Sequence, residues 1–399
     1  MALPDAHARL EETIDLLGKL VAFPTVSGDS NLAMIEFCAN QLEALGAKVR
    51  IWRSPDGGRA NCLASFGPNR TTMEDGIVLS GHSDVVPVTG QDWASDPFKL
   101  RAEKGKLFGR GACDMKAFIA ACMVMARDYA DLPLTRPISI ALTFDEETGC
   151  FGGRQLVEDF AAANIKPAIC IVGEPTQMRV IEGHKGCYEY TTRFKGLATH
   201  GSLTHQGVNA VEYAALYITR LMELREELKN ASPEGAAFEP PYTTLQIGKI
   251  SGGVSRNTIA GECSVEWEMR PVKITDADHI KSGIAAYVGT ELLPQMRERL
   301  PEAEITLETI AEVAGLSPAS ASEAREICKS LTGNENTDVV SFGTEAGIFQ
   351  QYGMSSVVCG PGSIQQAHKP DEYIETNELS KCLQMLDGLK GQLTKLKAP

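Results

Sequence analysis

Apolar side chains recur along this chain in two rhythms, and conspicuous polar residues fall where one rhythm gives way to the other. Residues 6–21 place Leu10, Ile14, Leu17 and Val21 three or four apart, the spacing of one helix face, before Pro24-Thr25-Val26-Ser27-Gly28 breaks the pattern. A second helix is predicted over 31–45, with Gly46 in the C-terminal position that favours glycine. Apolar runs at 48–52, 61–66 and 77–80 read as strands, and the continuous Ile77-Val78-Leu79 suits a strand buried on both faces. An Ala/Met-rich helix over 116–129, a strand over 137–144, a helix near 153–163 and a strand over 168–172 follow. Beyond about His184 the texture changes. A strand-like alternation at 188–195 leads to a long helix at 208–229, strands at 243–250 and 262–270, a helix at 276–299 and a strand at 304–310. A helix near 320–332, a strand at 356–359 and a final helix near 380–395 restore the first pattern.

Alternating strands and helices predict an α/β fold, a doubly wound and mostly parallel-sheet catalytic domain built from 1–184 and 313–399. The segment 185–312 is predicted as an inserted α+β domain with helices on one face of an antiparallel sheet. A length of 399 residues agrees with two domains.

Composition narrows the function classes. With 43% hydrophobic and 23% charged residues the chain reads as soluble and globular. A net charge of -14 disfavours wholesale binding to nucleic acid or an anionic membrane. The longest strongly apolar stretch, 117–126, is too short to span a bilayer, and the N-terminus lacks the pattern of a secretory signal. Eleven cysteines, an odd count without a CxxC pair, suit free thiols in a reducing compartment, so a cytoplasmic protein is expected.

Candidate chemistry gathers after the strands. The segments are Ser80-Gly81-His82-Ser83-Asp84, Gly111-Ala112-Cys113-Asp114, Phe144-Asp145-Glu146-Glu147, Val172-Gly173-Glu174 and Gln366-Ala367-His368. Histidine with carboxylates is a ligand mixture that zinc, cobalt or manganese accept. If the apolar runs are parallel strands, these residues share one sheet edge, where α/β proteins bind ligands. In His82-Ser83-Asp84 the extended spacing points both side chains one way, so one can ligate while the other orients it. Asp114 reads either as a cap of the helix after it or as a carboxylate shared between two cations. Glu146 and Glu147 would repel in a dry site unless cations compensate, and one can ligate while the other moves protons. A metal-dependent hydrolase is the leading expectation.

In this order the segments resemble the M20 family of co-catalytic metallopeptidases and amidohydrolases, and the likeness covers nearly the whole chain. It includes Gly81-His82-Ser83-Asp84-Val85-Val86-Pro87-Val88, the stretches 107–116, 145–150, 172–176 and 359–364, and Ala367-His368-Lys369-Pro370-Asp371-Glu372-Tyr373. The resemblance implies two divalent metal ions, zinc first, with cobalt or manganese as alternatives. It places His82 and Glu174 on one ion, Glu147 and His368 on the other, and Asp114 between them. Glu146 matches the family's general base and Asp84 its histidine-orienting carboxylate.

It also implies that the inserted domain closes over the substrate and mediates a homodimer, in which His200 would reach the neighbouring active site and stabilise an oxyanion. His205 stands where related chains commonly carry Pro and competes for that role. Asn257 and Arg270 fall where relatives bind substrate, with Arg270 suited to clamping a carboxylate. Glu345, in Gly343-Thr344-Glu345-Ala346-Gly347, is expected to receive a substrate ammonium. The expected substrate is a small N-acylated amino acid, with deacetylase, desuccinylase, aminoacylase and dipeptidase activities all open. A catalytically silent relative would have no chemical need of Glu146, and Gly360-Pro361-Gly362 lacks the Gly-Lys-Ser/Thr of a P-loop.

Overall fold

The computed structural model describes residues 6–231 and 237–395, so the N-terminal residues 1–5 lie outside it. The chain divides into two compact units. One comprises Met1–Gly183, Pro318–Asp338 and Thr344–Pro399, the other His184–Ser317 and Val339–Gly343.

The first unit is built on an eight-stranded sheet. Its order is Lys48–Arg53, Ala60–Phe66, Ile138–Thr143, Ile77–His82, Ile169–Pro175, Ser355–Gly360, Val180–His184 and Thr337–Val340. The four central strands, from Ile138–Thr143 to Ser355–Gly360, run parallel, and antiparallel strands flank them. Pairing of Leu79 with both Ile140 and Ile171 brings the carboxyl ends of three strands to one edge. Strand residues alternate between faces. Ile77, Leu79, Ile138 and Ile140 join the main core with Leu17, Leu20, Met34 and Ile35 from the first two helices, Ala6–Val21 and Leu32–Ala44. The helix Lys116–Ala130 is buried along nearly its whole length, which explains its Ala- and Met-rich composition. Ser80 and Thr143 point to the other face, where their hydroxyls meet Glu345 at the start of the helix Ala346–Gln351. Layers on both faces make this the doubly wound α/β class.

The second unit is a four-stranded antiparallel sheet of order Thr244–Gly252, Glu262–Arg270, Cys187–Lys195 and Glu304–Val313. The helices Ala210–Asn230 and Ile274–Tyr287 pack on it around Tyr190, Tyr217, Leu221, Trp267 and Ile280. The helix expected over 276–299 is not continuous. It passes through a π-helical turn at Val288–Leu292 and restarts as Leu293–Arg297, with Pro294 in the first turn, where its missing N–H costs nothing. Short strands at Arg101–Glu103, Lys106–Phe108 and Tyr373–Glu375 form a third small sheet. Among the described residues no helix is long and apolar enough to cross a membrane.

Candidate metal centre

Three parallel strands and two loops deliver polar residues to one edge of the large sheet. Ile77–His82 ends on His82, Ile169–Pro175 carries Glu174 near its end, and the turn after Ile138–Thr143 presents Glu146 and Glu147. Asp114 directly precedes the helix Lys116–Ala130 through a cis peptide to Met115. His368 follows the short 3-10 turn Ile364–Gln366 in a left-handed conformation, φ 63°.

Asp114 lies between the two imidazoles. Its Oδ1 is 3.1 Å from Nε2 of His82 and its Oδ2 is 3.4 Å from Nε2 of His368. The His82 ring also lies 3.5 Å from Oε1 of Glu174, and the His368 ring 2.9 Å from Oε2 of Glu147. Acid and imidazole therefore alternate in one chain from Glu174 to Glu147. Possible ligand atoms of His82, Asp114 and Glu147 fall within 4.8 Å of one another, as do those of His82, Glu146 and Glu174. His82, Asp114 and Glu174 are buried, whereas the His368 side chain is 52% exposed and marks the open side. The capping alternative for Asp114 is set aside: the cap position is Met115, no side chain caps the helix there, and the Asp114 carboxylate serves the imidazoles.

Asp84 orients His82 by a different atom from the one expected. The ring Nδ1 donates to the Asp84 main-chain carbonyl at 2.9 Å, while the carboxylate stands 3.6 Å away. That bond fixes a proton on Nδ1 and turns Nε2 to the site, where it offers a lone pair once its own proton has left. The Asp84 carboxylate instead accepts from the Glu146 amide at 3.1 Å, the Glu147 amide at 3.3 Å and the Ser27 hydroxyl at 2.6 Å. It thereby holds the turn that carries both glutamates. Neighbouring Asp145, in a left-handed conformation (φ 50°), is anchored by the Gly28 amide and by Arg59.

Electrostatics shows how strongly these acids and imidazoles act on one another. Burial pushes Glu146 up to about 8, with Glu147 and Asp84 adding to the rise. Burial and then Asp114 raise Glu147, and raise Glu174 well above the usual carboxylate range. Burial opposes the charge on His82, but Glu174, Asp114 and Asp84 outweigh it and hold the ring well above its ordinary value. Asp114 and Glu147 push His368 up to about 10. Against burial, His368 and His82 hold Asp114 well below the carboxylate range. One atom is left over: Oε1 of Glu174 is buried without a hydrogen-bond partner among the described residues. An orphaned carboxylate oxygen beside a crowd of acids and two imidazoles fits a divalent cation in chemistry and in charge.

The sequence model of Peptidase family M20/M25/M40 matches residues 78–389. The chain belongs to this family. It is an M20 hydrolase that acts on amide bonds. Acetylornithine deacetylase of Proteus mirabilis (strain HI4320) is 35% identical over 380 residues, covering 92% of this chain and 93% of that protein. A tripeptidase from Staphylococcus aureus shares the fold with a TM-score of 0.72 at 20% identity, over 97% of this chain and 99% of that one. A dinuclear metal-binding M20 peptidase from Bacillus subtilis does so with a TM-score of 0.65 at 14% identity, over 98% and 100% of the two chains.

The remaining expected residues of this M20 hydrolase are His200, His205, Asn257 and Arg270 in the second unit and Glu345 in the first. In the second unit His200 is exposed with Nδ1 2.8 Å from the Ser202 hydroxyl, and its backbone pairs with Thr258 next to Asn257. His205 is also exposed, its Nε2 3.2 Å from the Gln206 amide nitrogen. Arg270 ends its strand in an ion pair with Glu268 at 2.9 Å. Glu345 has a different setting from that of a loop residue. It is not a free acid in an open loop. Its carboxylate is buried, with Oε1 2.5 Å from the Ser80 hydroxyl and Oε2 2.9 Å from that of Thr143, so it is already satisfied within the first unit. Sequence reasoning passed over Ser27, Arg110 and Glu372. The last two stand in the family-like stretches 107–116 and 367–373, beside Asp114 and His368.

Proposed function

We propose that this M20 hydrolase removes the N-acetyl group of N2-acetyl-L-ornithine, giving L-ornithine and acetate, with two divalent cations, zinc first. The observation that carries the two-metal reading is Asp114, one oxygen toward His82 and the other toward His368. His82 and Glu174 would hold one ion, His368 and Glu147 the other, and Asp114 both. Bound there, the ions would lower the pKa of a shared water and polarise the acyl carbonyl.

The chain's own residues do the rest. Glu146 takes the proton that the attacking water gives up and delivers it to the departing amine nitrogen. Its raised pKa in the cation-free site, about 8, comes down when positive charge is placed beside it, which favours the carboxylate that a base needs. Asp84 keeps Glu146 in place through the amide it accepts from. The segment 185–312 acts as the lid and dimerisation domain, and His200 supplies a hydrogen bond to the developing oxyanion, in a dimer from the partner copy. Arg270 and Asn257 bind the amino-acid end of the substrate, Arg270 through the α-carboxylate.

The relatives named acetylornithine deacetylase, matched over nearly the full length of both chains, support the choice of acyl amino acid. Turnover on zinc- and cobalt-loaded protein tests it, comparing N2-acetylornithine, N-succinyl-diaminopimelate, N-acetylmethionine and a dipeptide. The highest kcat/KM is expected on N2-acetylornithine. A preference for any of the others overturns this substrate and leaves the amide hydrolase standing.

A further inference from the structure

Glu372 is a buried carboxylate to which the mechanism gives no task. Its Oε1 accepts from the amides of Cys113 at 2.7 Å and Asp114 at 3.0 Å, and its Oε2 from the Gly111 amide at 3.1 Å and the Arg110 guanidinium at 2.7 Å. Four donors fill the four lone-pair positions of one carboxylate, and all four come from the turn that ends on Asp114. Arg110, equally buried, extends the network. Its other terminal nitrogen donates to Oε1 of Gln91 at 2.6 Å, and Nε2 of Gln91 donates to the His368 carbonyl at 3.1 Å.

We propose that Glu372 is a positioning residue of the metal centre: it fixes the turn that aims Asp114 at both imidazoles and, through Arg110 and Gln91, ties the His368 main chain to the same unit. The inference rests on the two-metal reading above. A carboxylate is needed because every group facing Glu372 is a donor. A glutamine would turn an NH2 group toward N–H groups, and an aspartate is one methylene too short to reach them. Both ions depend on Asp114, so a loosened turn weakens both. Loss of the Gln91 link frees only the His368 side.

Cobalt(II) titrated calorimetrically into the metal-stripped full chain tests this, together with the visible spectrum of the bound cobalt and the thermal midpoint of the metal-free protein. The unaltered chain should take two ions. Glu372→Gln should weaken both by about 10–100-fold, the usual effect of removing a group that orients ligands, and shift the visible band. Gln91→Ala, which leaves the four bonds to Glu372 intact, should weaken one ion only. If Glu372→Gln lowers the metal-free midpoint but leaves both affinities and the band unchanged, Glu372 serves the fold alone and the proposal is wrong. Should Glu372→Gln fail to fold, Gln91→Ala decides, and unchanged affinity for both ions overturns the coupling. An unaltered chain that binds no cobalt overturns the two-metal reading and the clamp with it, whereas two ions with indifferent variants overturn the clamp alone.

Discussion

Loading the metal-free protein with cations should expel protons, and the structure gives the minimum count. His368 is raised from 6.5 to about 10 by Asp114 and Glu147. His82 is held well above 6.5 by Glu174, Asp114 and Asp84, which outweigh its burial. Both rings therefore carry a proton near pH 7, and an imidazole that ligates a metal must be neutral. Two protons leave from the rings when both ions bind, and raised carboxyls such as Glu146 add to the release. One ring proton per ion makes each apparent binding constant rise about tenfold, about 1.4 kcal/mol, per pH unit. From pH 6.5 to 8.5 that amounts to about a hundredfold for the ion on the His368 side, whose ring titrates near 10.

The sign for stability follows from the same rings. In the metal-free chain their folded values exceed the unfolded one, so the stability they lend is complete below 6.5 and drains as pH rises through the folded values, near 10 for His368. Calorimetry of zinc binding in buffers of different ionisation enthalpy measures the proton count directly. A binding enthalpy that does not depend on the buffer, or an affinity flat across that range, would refute the reasoning.

Glu146→Ala should still bind two cobalt ions but lose about 10²–10⁴-fold in kcat, the usual share of a general base, and a near-native rate would remove Glu146 from that role. Glu345→Leu should cost about 2 kcal/mol in urea unfolding by stranding the Ser80 and Thr143 hydroxyls, while the ratio of turnover on acetylornithine and acetylnorleucine stays put. A changed ratio would restore Glu345 to the substrate. Gly173→Ala should cost about 1–3 kcal/mol, because its Cβ would sit 2.0 Å from Cγ of Phe118; an unchanged thermal midpoint would mean that the helix Lys116–Ala130 yields freely there.

The central strands and the cluster of acids and imidazoles at their ends were legible because they combine two strong signals. A strand buried on both faces is an uninterrupted apolar run, as in Ile77-Val78-Leu79, and the polar residue that ends it stands out against it. Three-residue strands such as Arg101–Glu103 and Tyr373–Glu375 escaped because so few positions carry no periodicity. The setting of Glu345 was hidden for another reason. Its flanking glycines suggest an exposed loop, and only tertiary packing puts Ser80 and Thr143 against its carboxylate. Asp84 shows the same gap at finer grain: the spacing His82-Ser83-Asp84 announces a partnership, but whether carbonyl or carboxylate meets the ring depends on the Glu146–Glu147 turn competing for the latter.

Chain connectivity has a consequence for biosynthesis. The first unit is begun by the residues before His184 and completed only by those after Pro318, with nearly all of the second unit made in between. His82, Asp114, Glu146, Glu147 and Glu174 thus leave the ribosome long before His368 and Glu372 exist. The second unit is almost one unbroken stretch and can fold while the acidic half-site still waits for its last imidazole. A nascent chain halted inside the second unit would therefore display these carboxylates without His368, so the cluster closes only after the second unit has been made.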